Sequence, residues 1–283
     1  MGEFKNMLHS EFMEPQFYIM FYALVFLFGI CIGSFLNVVI LRIPKHESLI
    51  KRASHCMTCG AKIRVCDLIP VFSWLFLRGK CHNCGEKISP RYPIVESLNG
   101  LLYVITFYVL DLNAESIITC ILMSLLIVVA FMDWDTMEID ERILGIIFIL
   151  AVPMVIFGDS GSMKDRIVSR IIGALIISVP FFIIGEISRI IIRKRTGEDY
   201  RAIELGDTLL MIAAGAFLGT QAIIVSALIG IVSAALGGLI NKLITGESKF
   251  AFGPFLSIGI AVGALWGNNI AQWYIGLLTT SVQ

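Results

Sequence analysis

The chain has 283 residues, of which 57% are hydrophobic and 16% are charged, and its formal net charge is zero. A soluble domain does not carry this balance, and a net charge of zero identifies no class of partner. Several long uncharged apolar runs instead predict an all-α polytopic membrane protein. The polar head at residues 1–16 contains acids and lacks the basic start of a cleaved signal peptide, so we expect it to be retained.

Eight apolar runs are predicted to be transmembrane helices, and the fifth contains Pro180, where we expect a kink. In chain order the runs cover residues 17–41, 94–110, 117–132, 143–157, 167–192, 208–218, 222–240 and 255–275. The first run contains Gly29 and Gly33, whose spacing predicts a face for close helix packing. Asn37 lies near the end of the same run, where its amide needs a hydrogen-bonding partner.

The segment 42–92 is polar and strongly basic, with ten Lys or Arg residues against three acids. The excess of basic residues places this segment in the cytoplasm. Two later basic sites, residues 193–195 and Lys242, follow runs that return to the same side. This orientation predicts that both termini lie outside and that Asp133 and Asp207 lie at the cytoplasmic boundary.

Two Cys-x-x-Cys pairs lie in the basic segment, and each is followed directly by a glycine. The pairs are Cys56 with Cys59 and Cys81 with Cys84, and four such thiolates complete a tetrahedral zinc shell. The connector between the pairs is one residue longer than usual, and redox or idle cysteines are the alternative interpretation. A closed four-sulfur shell leaves no open position, so we predict a structural zinc ion, with Cys66 as a substitute ligand.

Two carboxylates border apolar runs on the predicted cytoplasmic face. Asp133 follows the uncharged run 117–132, and Asp207 follows Gly206 at the head of the run 208–218. Ionisable groups at the ends of spanning helices are costly, so the pair predicts an aspartyl dyad. Ordinary polar helix caps are the alternative for each aspartate taken alone. Other acids that compete for the role are Asp135, Glu138, Asp140, Glu141 and Glu204.

Helical geometry ranks these acids. Asp135 lies about 200° around the helix from Asp133, so we expect it to face solvent or a neighbouring helix. Asp140 is predicted to cap the helix that follows it, because an acid favours a helix N-terminus. Gly206 is predicted to leave room for a substrate backbone beside Asp207.

Several motifs across nearly the whole chain resemble those of the type IV prepilin peptidases, a family of membrane aspartyl proteases. The motifs are Gly33-Ser34-Phe35-Leu36-Asn37-Val38-Val39-Ile40, Arg42-Ile43-Pro44, Ile69-Pro70-Val71-Phe72-Ser73-Trp74-Leu75, Leu77-Arg78-Gly79-Lys80-Cys81, Ile88-Ser89-Pro90-Arg91-Tyr92-Pro93-Ile94-Val95-Glu96 and Phe252-Gly253-Pro254-Phe255. The resemblance implies that Asp133 and Asp207 are the catalytic pair. Two departures stand out, since Asp140 replaces the proline of Ile-Pro-Asp and Leu209 replaces the lysine of Gly-x-Gly-Asp-x-Lys.

The resemblance implies an endopeptidase in the bacterial cytoplasmic membrane that cleaves the leaders of prepilins and pseudopilins at the cytoplasmic face. Members with the four-cysteine loop also methylate the new N-terminus with S-adenosylmethionine, and Arg91 and Glu96 are candidates for the donor site. The expected cofactors are therefore zinc and S-adenosylmethionine. The expected partners are these precursors and the lipid bilayer, with no nucleic acid.

The expected domains are an N-terminal segment with the first helix at 1–41, the four-cysteine loop at 42–92 and the peptidase domain at 93–283. Two other classes of function stay open. A proton-coupled transporter would use Asp133 and Asp207 as relay acids, although neither lies at mid-membrane in a broken helix. A non-catalytic scaffold of a pilus or secretion assembly would need only the zinc loop. Leader loss from a prepilin distinguishes the peptidase from both.

Overall fold

A computed structural model describes residues 15–51, 53–157, 161–197, 199–246 and 250–280. Most of the predicted polar head therefore lies outside the described residues. The α-helices in these ranges are α1 (Pro15–Arg42), α2 (Phe72–Phe76), α3 (Arg91–Leu110), α4 (Ala114–Thr136), α5 (Glu141–Ile149), α6 (Ala151–Phe157), α7 (Met163–Ile176), α8 (Ser178–Thr196), α9 (Leu205–Leu218), α10 (Thr220–Thr245) and α11 (Gly253–Thr280). No β-strand occurs among them, which confirms the predicted all-α class.

The number of spans differs from the prediction of eight. By length and composition, six helical stretches of the described chain qualify as membrane spans. They are Gln16–Arg42, Arg91–Leu110, Ala114–Thr136, Met163–Thr196, Thr220–Thr245 and Gly253–Thr279. The predicted run 143–157 is divided between α5 and α6 at Leu150, and α9 has only 14 residues. A 14-residue helix is about 21 Å long, shorter than the hydrocarbon core of about 30 Å. The count of eight is therefore not confirmed.

The helix is interrupted three residues before Pro180, where we expect a kink. Helix α7 ends at Ile176, and α8 begins at Ser178. Ile177 between them keeps helical torsions, with φ of −102° and ψ of −39°, and the two helices form one candidate span, Met163–Thr196. Pro180 is then in the first turn of α8, a position that tolerates its missing N–H. The kink itself stays a prediction.

The chain divides into two compact units, Met1–Val128 and Val129–Gln283. In the first unit α1 packs closely against α3, as the glycine spacing predicts. A Cβ at Gly29 would lie 2.7 Å from the Cα of Gly100, and one at Gly33 would lie 2.7 Å from the Cα of Glu96. Real Cβ atoms do not approach so closely, so glycine is needed for these helices to meet.

Buried amides of the first unit find partners, because unpaired polar groups are costly in a bilayer. The Asn37 amide donates to the Tyr92 carbonyl at 3.2 Å, which supplies its predicted partner. The Asn99 amide donates to the Gly29 carbonyl at 2.7 Å and accepts from the Ser124 hydroxyl at 2.8 Å.

In the second unit α9 packs against α7 and α10 against α11, again through small residues. A Cβ at Gly215 of α9 would overlap the backbone of Gly173 in α7. A Cβ at Gly267 of α11 would lie 2.8 Å from the Cα of Ala222 in α10. These contacts fix the position of α9, which carries Asp207.

Gly215→Ala is expected to destabilise the protein by about 1–3 kcal/mol, because the added methyl group meets backbone atoms that cannot rotate away. The measurement is the melting temperature in detergent. Gly145→Ala is the matched control, since nothing lies within 4 Å of a Cβ at Gly145. That control should gain up to about 1 kcal/mol from helix propensity. Equal melting temperatures for the two variants would contradict the packing of α9 on α7.

Candidate active site and candidate metal centre

Each Cys-x-x-Cys pair folds as a tight hairpin with a glycine at its turn. The Cys56 N–H donates to the Ala61 carbonyl at 2.9 Å, and the Gly60 N–H donates back to the Cys56 carbonyl at 2.9 Å. The second pair repeats this arrangement: the Cys81 N–H donates to the Glu86 carbonyl at 2.7 Å, and the Gly85 N–H donates to the Cys81 carbonyl at 2.9 Å. Both glycines have φ near +70°, at 68° and 73°, where residues with a Cβ are disfavoured. The glycine after each pair is thus required by the turn.

The two hairpins bring four thiols together. The sulfurs of Cys56, Cys59, Cys81 and Cys84 all lie within 4.8 Å of one another. The Cys56 and Cys84 sulfurs are 3.9 Å apart. Zinc–sulfur bonds of about 2.3 Å at tetrahedral angles would place two sulfurs about 3.8 Å apart. The cluster therefore fits a tetrahedral metal ion.

The electrostatics of the cluster also suit a cation. The N–H groups of Cys59 and Thr58 lower the pKa of Cys56 to about 6, so this thiol ionises readily. The Glu86 N–H lowers the pKa of Cys84, but lost hydration and the adjacent sulfurs outweigh it and raise that pKa to about 12. A second thiolate is thus disfavoured beside the first until a positive charge is present.

The remaining cysteines lie outside this cluster. Cys66 is exposed, and its thiol contacts the Asp67 carboxylate at 3.7 Å. Cys120 is buried in α4, whereas Cys31 is exposed on α1. The four-thiol group does not include Cys66, the substitute ligand considered from the sequence.

Asp133 lies in the last turn of α4 and is 6% exposed. One carboxylate oxygen, Oδ2, accepts a hydrogen bond of 2.8 Å from the N–H of Gly253, the first residue of α11. The first N–H groups of a helix have no intrahelical acceptor, so the carboxylate satisfies one of them and meets the positive end of the helix dipole. Gly253 also provides space, since a Cβ there would lie 2.8 Å from Oδ2.

Asp207 is the third residue of α9 and is 5% exposed. Its carboxylate accepts from the Glu204 N–H at 3.3 Å, and the Glu204 side chain accepts from the Asp207 N–H. This reciprocal pattern is a capping box. Asp133 and Asp207 are thus both helix-capping groups, which is the alternative that the sequence left open.

The two aspartates, each of which caps a different helix, also act on each other. Their carboxylates interact electrostatically, although 74 positions separate them in the chain. Glu204 adds negative charge that acts on both carboxylates. Two buried carboxylates in mutual repulsion are costly as helix caps alone, because they cannot both ionise without penalty. A proton on either acid would relieve this repulsion.

The competing acids are accounted for by other roles. Asp135 is exposed, as its position around the helix predicts. Asp140 is the N-cap of α5 and accepts from the Arg142 N–H at 2.9 Å, which confirms its predicted capping role. The Arg142 guanidinium, 2.8 Å from Asp140, also lowers the pKa of that carboxyl below its ordinary value.

Two observations modify the predicted surroundings of Asp207. A Cβ at Gly206 would lie 3.3 Å from the Cβ of Ile139, so the space beside this glycine is occupied by a side chain of the same protein. Glu204, considered from sequence as a competitor, instead binds the backbone of Asp207. The Gly253 N–H was not predicted as a partner of Asp133, although the motif that contains Gly253 was noticed.

The candidate donor-site residues lie in the first unit. Glu96 is 7% exposed, and its Oε2 accepts from the Val71 N–H at 2.6 Å. Val71 has φ of 62°, a strained value for a β-branched residue, so Glu96 stabilises an unusual turn. Arg91 begins α3, and its N–H donates to the Ser89 hydroxyl at 3.3 Å. The Glu96 carboxylate thus holds the turn at Val71.

Comparison with known proteins agrees with these features. The model of the bacterial peptidase A24 N-terminal domain matches residues 27–110, and that of the type IV leader peptidase family matches residues 120–239. A prepilin leader peptidase/N-methyltransferase of Aeromonas salmonicida (strain A449) is 31% identical over 92% of this chain and 95% of its own length. A protein with the same name from Aeromonas hydrophila is 32% identical over 90% of this chain and 94% of its own length. Another from Bacillus subtilis (strain 168) is 30% identical over 89% of this chain and 97% of its own length.

No solved structure was found to match the chain. The relatives cover almost its whole length, and the two family models between them span both compact units. With six apolar helices of spanning length, the chain is a multi-pass membrane protein and belongs to the type IV leader peptidase family.

Proposed function

We propose that this protein is an aspartyl endopeptidase that removes the leader peptides of type IV prepilins and pseudopilins at the cytoplasmic face of the bacterial membrane. The observation that carries the proposal is a pair of buried carboxylates that interact with each other, Asp133 and Asp207. Asp133 binds the first N–H of α11, and Asp207 lies in the first turn of α9. Leader loss from a prepilin incubated with the purified protein is the test.

The chemistry follows from two acids that share one proton. The ionised carboxylate takes a proton from a water molecule, which attacks the scissile carbonyl carbon. The protonated carboxyl donates its proton to the carbonyl oxygen, which gives a gem-diol. The carboxyl that took the water proton then donates it to the leaving amine, and the other carboxylate takes a proton back from the gem-diol as the C–N bond breaks. Because Asp133 and Asp207 repel each other when both are ionised, this repulsion favours the pair in which one acid is protonated.

The helix termini position these two acids for the reaction. The Gly253 N–H holds one oxygen of Asp133, and the Glu204 N–H holds one oxygen of Asp207. Each carboxylate thus keeps an orientation set by rigid helices, as general acid–base catalysis requires. Family membership adds the substrate class, since the relatives are named prepilin leader peptidases.

Methylation of the new N-terminus is the second proposed activity, and it rests on the name of the relatives. S-adenosylmethionine would supply an electrophilic methyl group when bound. Arg91 and Glu96 are the proposed donor-site residues. The Val71 N–H holds Oε2 of Glu96, which fixes the orientation of that carboxylate.

The four-thiol cluster is proposed as a structural zinc site. Cys56, Cys59, Cys81 and Cys84 each offer one sulfur, which fills a tetrahedral shell without an open position. The described part of this segment carries short helices, and one isolated β-bridge lies at each hairpin, His55 with Lys62 and Lys80 with Lys87. A metal ion would link its two hairpins.

Labelling of lysines from either side of the membrane tests the proposed cytoplasmic side of cleavage. Lys51, Lys164 and Lys194 are all exposed. The eight-run topology, in which residues 143–157 also cross the membrane, places Lys51 and Lys194 in the cytoplasm and Lys164 outside. A membrane-impermeant amine reagent applied to intact cells should label Lys164 and should not label Lys51 or Lys194. Inside-out vesicles should give the reverse pattern, read by peptide mass spectrometry. Labelling of Lys51 or Lys194 in intact cells would refute the proposed orientation.

A further inference from the structure

A buried serine lies one helical turn from the contact between Asp133 and α11. Ser257 is 4% exposed, and its hydroxyl has no hydrogen-bonding partner among the described protein atoms. A hydroxyl inside a helix commonly donates to the carbonyl four residues earlier, as Ser226 does to Ala222 at 2.8 Å in α10. An unsatisfied buried hydroxyl costs about 1–3 kcal/mol, so Ser257 requires a partner that is not protein.

The direction of the Ser257 side chain follows from Gly253. Residues i and i+4 lie on the same face of a helix, so Ser257 stands directly after Gly253 on α11. The position of a Cβ on Gly253 would be 2.8 Å from Oδ2 of Asp133, which identifies this face as the one toward Asp133. Side chains of a helix also lean toward its N-terminus, and the Ser257 hydroxyl therefore leans toward the carboxylate.

The contact with α10 covers a neighbouring part of the α11 surface. Gly259 and Gly263 contact α10, where their Cβ positions would overlap Ser226, and they lie about 160° and 120° around the helix from Ser257. Gly267, which also contacts α10, lies about 80° from it. Ser257 is thus buried beside the α10 contact, within about 40° of Gly253 around the helix.

One helical turn separates Ser257 from the residue that binds Asp133. The Ser257 Cα lies about 6 Å along the helix axis from the Cα of Gly253, whose N–H holds Oδ2. The Asp133 carboxylate has one hydrogen bond among the described residues, from Gly253 to Oδ2, so Oδ1 can accept another. Buried polar groups without protein partners are generally satisfied by ordered water.

We propose that Ser257 is a positioning residue of the peptidase site, whose hydroxyl holds Oδ1 of Asp133 through one bridging water. The inference rests on the proposed aspartyl function. With Gly253 on Oδ2 and Ser257 reaching Oδ1, both oxygens of the carboxylate are oriented from a single helix face. Loss of the hydroxyl should affect the rate of the chemical step and leave the binding of the prepilin unchanged.

The test compares Ser257→Ala with Ser226→Ala, a buried serine whose hydroxyl is satisfied within its own helix. Ser257→Ala should lower kcat for prepilin cleavage by about 10–100-fold, the loss expected for one hydrogen bond to a charged group. KM and the melting temperature should stay at wild-type values. Ser226→Ala should retain wild-type kcat.

Three results would overturn the inference. The first is a wild-type kcat for Ser257→Ala while Asp133→Asn is inactive, which refutes the role of Ser257 and leaves the aspartyl proposal standing. The second is an equal loss of kcat and melting temperature in both serine variants, which would indicate general packing. The third is cleavage that survives Asp133→Asn, which refutes the aspartyl proposal itself and the inference that rests on it.

Discussion

Asp133→Asn and Asp207→Asn are each expected to reduce leader cleavage by roughly 10²–10⁴-fold, the contribution of a general acid or base. Asparagine has nearly the shape of aspartate and can still accept from the Gly253 or Glu204 N–H, so both variants should remain folded. The change removes only the ability to hold and release a proton. Initial rates with a prepilin substrate and the melting temperature in detergent give the two measurements.

Asp135→Asn and Asp140→Asn are the matched controls for this result. Asp135 is exposed, and Asn at position 140 would still cap α5, so both variants should keep most of the activity. Methylation of an already cleaved pilin should survive Asp207→Asn, because methyl transfer does not use the dyad. An inactive Asp135→Asn together with an active Asp133→Asn would show that the wrong acid of α4 had been assigned.

Replacement of Cys56 and Cys59 by serine is expected to remove one tightly bound zinc ion per chain. Structural zinc sites contribute about 10–16 kcal/mol of binding free energy, which is also folding free energy for a small unit. The four-cysteine segment should therefore become sensitive to proteolysis. Elemental analysis of the purified protein and limited digestion provide the measurements.

Cys66→Ser is the control for the metal prediction, because Cys66 is exposed and is not part of the four-thiol group. It should retain full zinc content and resistance to proteolysis. Stoichiometric zinc in the Cys56→Ser, Cys59→Ser double variant would contradict the assignment of the site. Zinc lost from Cys66→Ser alone would require a different ligand set.

Local patterns were sufficient where a feature depends on neighbours in the chain. The glycine after each cysteine pair, the Asp140 cap and the close approach at Gly29 and Gly33 all follow from spacing of a few residues. Hydropathy was less informative about where apolar helices end. A window average treats residues 143–157 as one run, although the backbone turns at Leu150 between α5 and α6.

Contacts between distant segments could not be deduced from composition. The Gly253 N–H and the Asp133 carboxylate are 120 residues apart, and only the fold places them 2.8 Å from each other. A different limit applies to Glu204, whose capping of α9 depends on a local backbone conformation that a charge pattern does not encode. The sequence does not set Ser257 apart from the other serines. Only the packing of α11 buries its hydroxyl without a protein partner.

The most direct test of the central claim is a cleavage assay with the purified protein. A type IV prepilin in detergent is incubated with the wild type, Asp133→Asn and Asp207→Asn, and intact mass spectrometry follows the precursor. We expect the wild type to release the leader and both variants to leave the precursor intact. Addition of S-adenosylmethionine should add one methyl group to the wild-type product. An intact precursor with the folded wild type, or leader loss that persists in both variants, would contradict the proposed aspartyl peptidase.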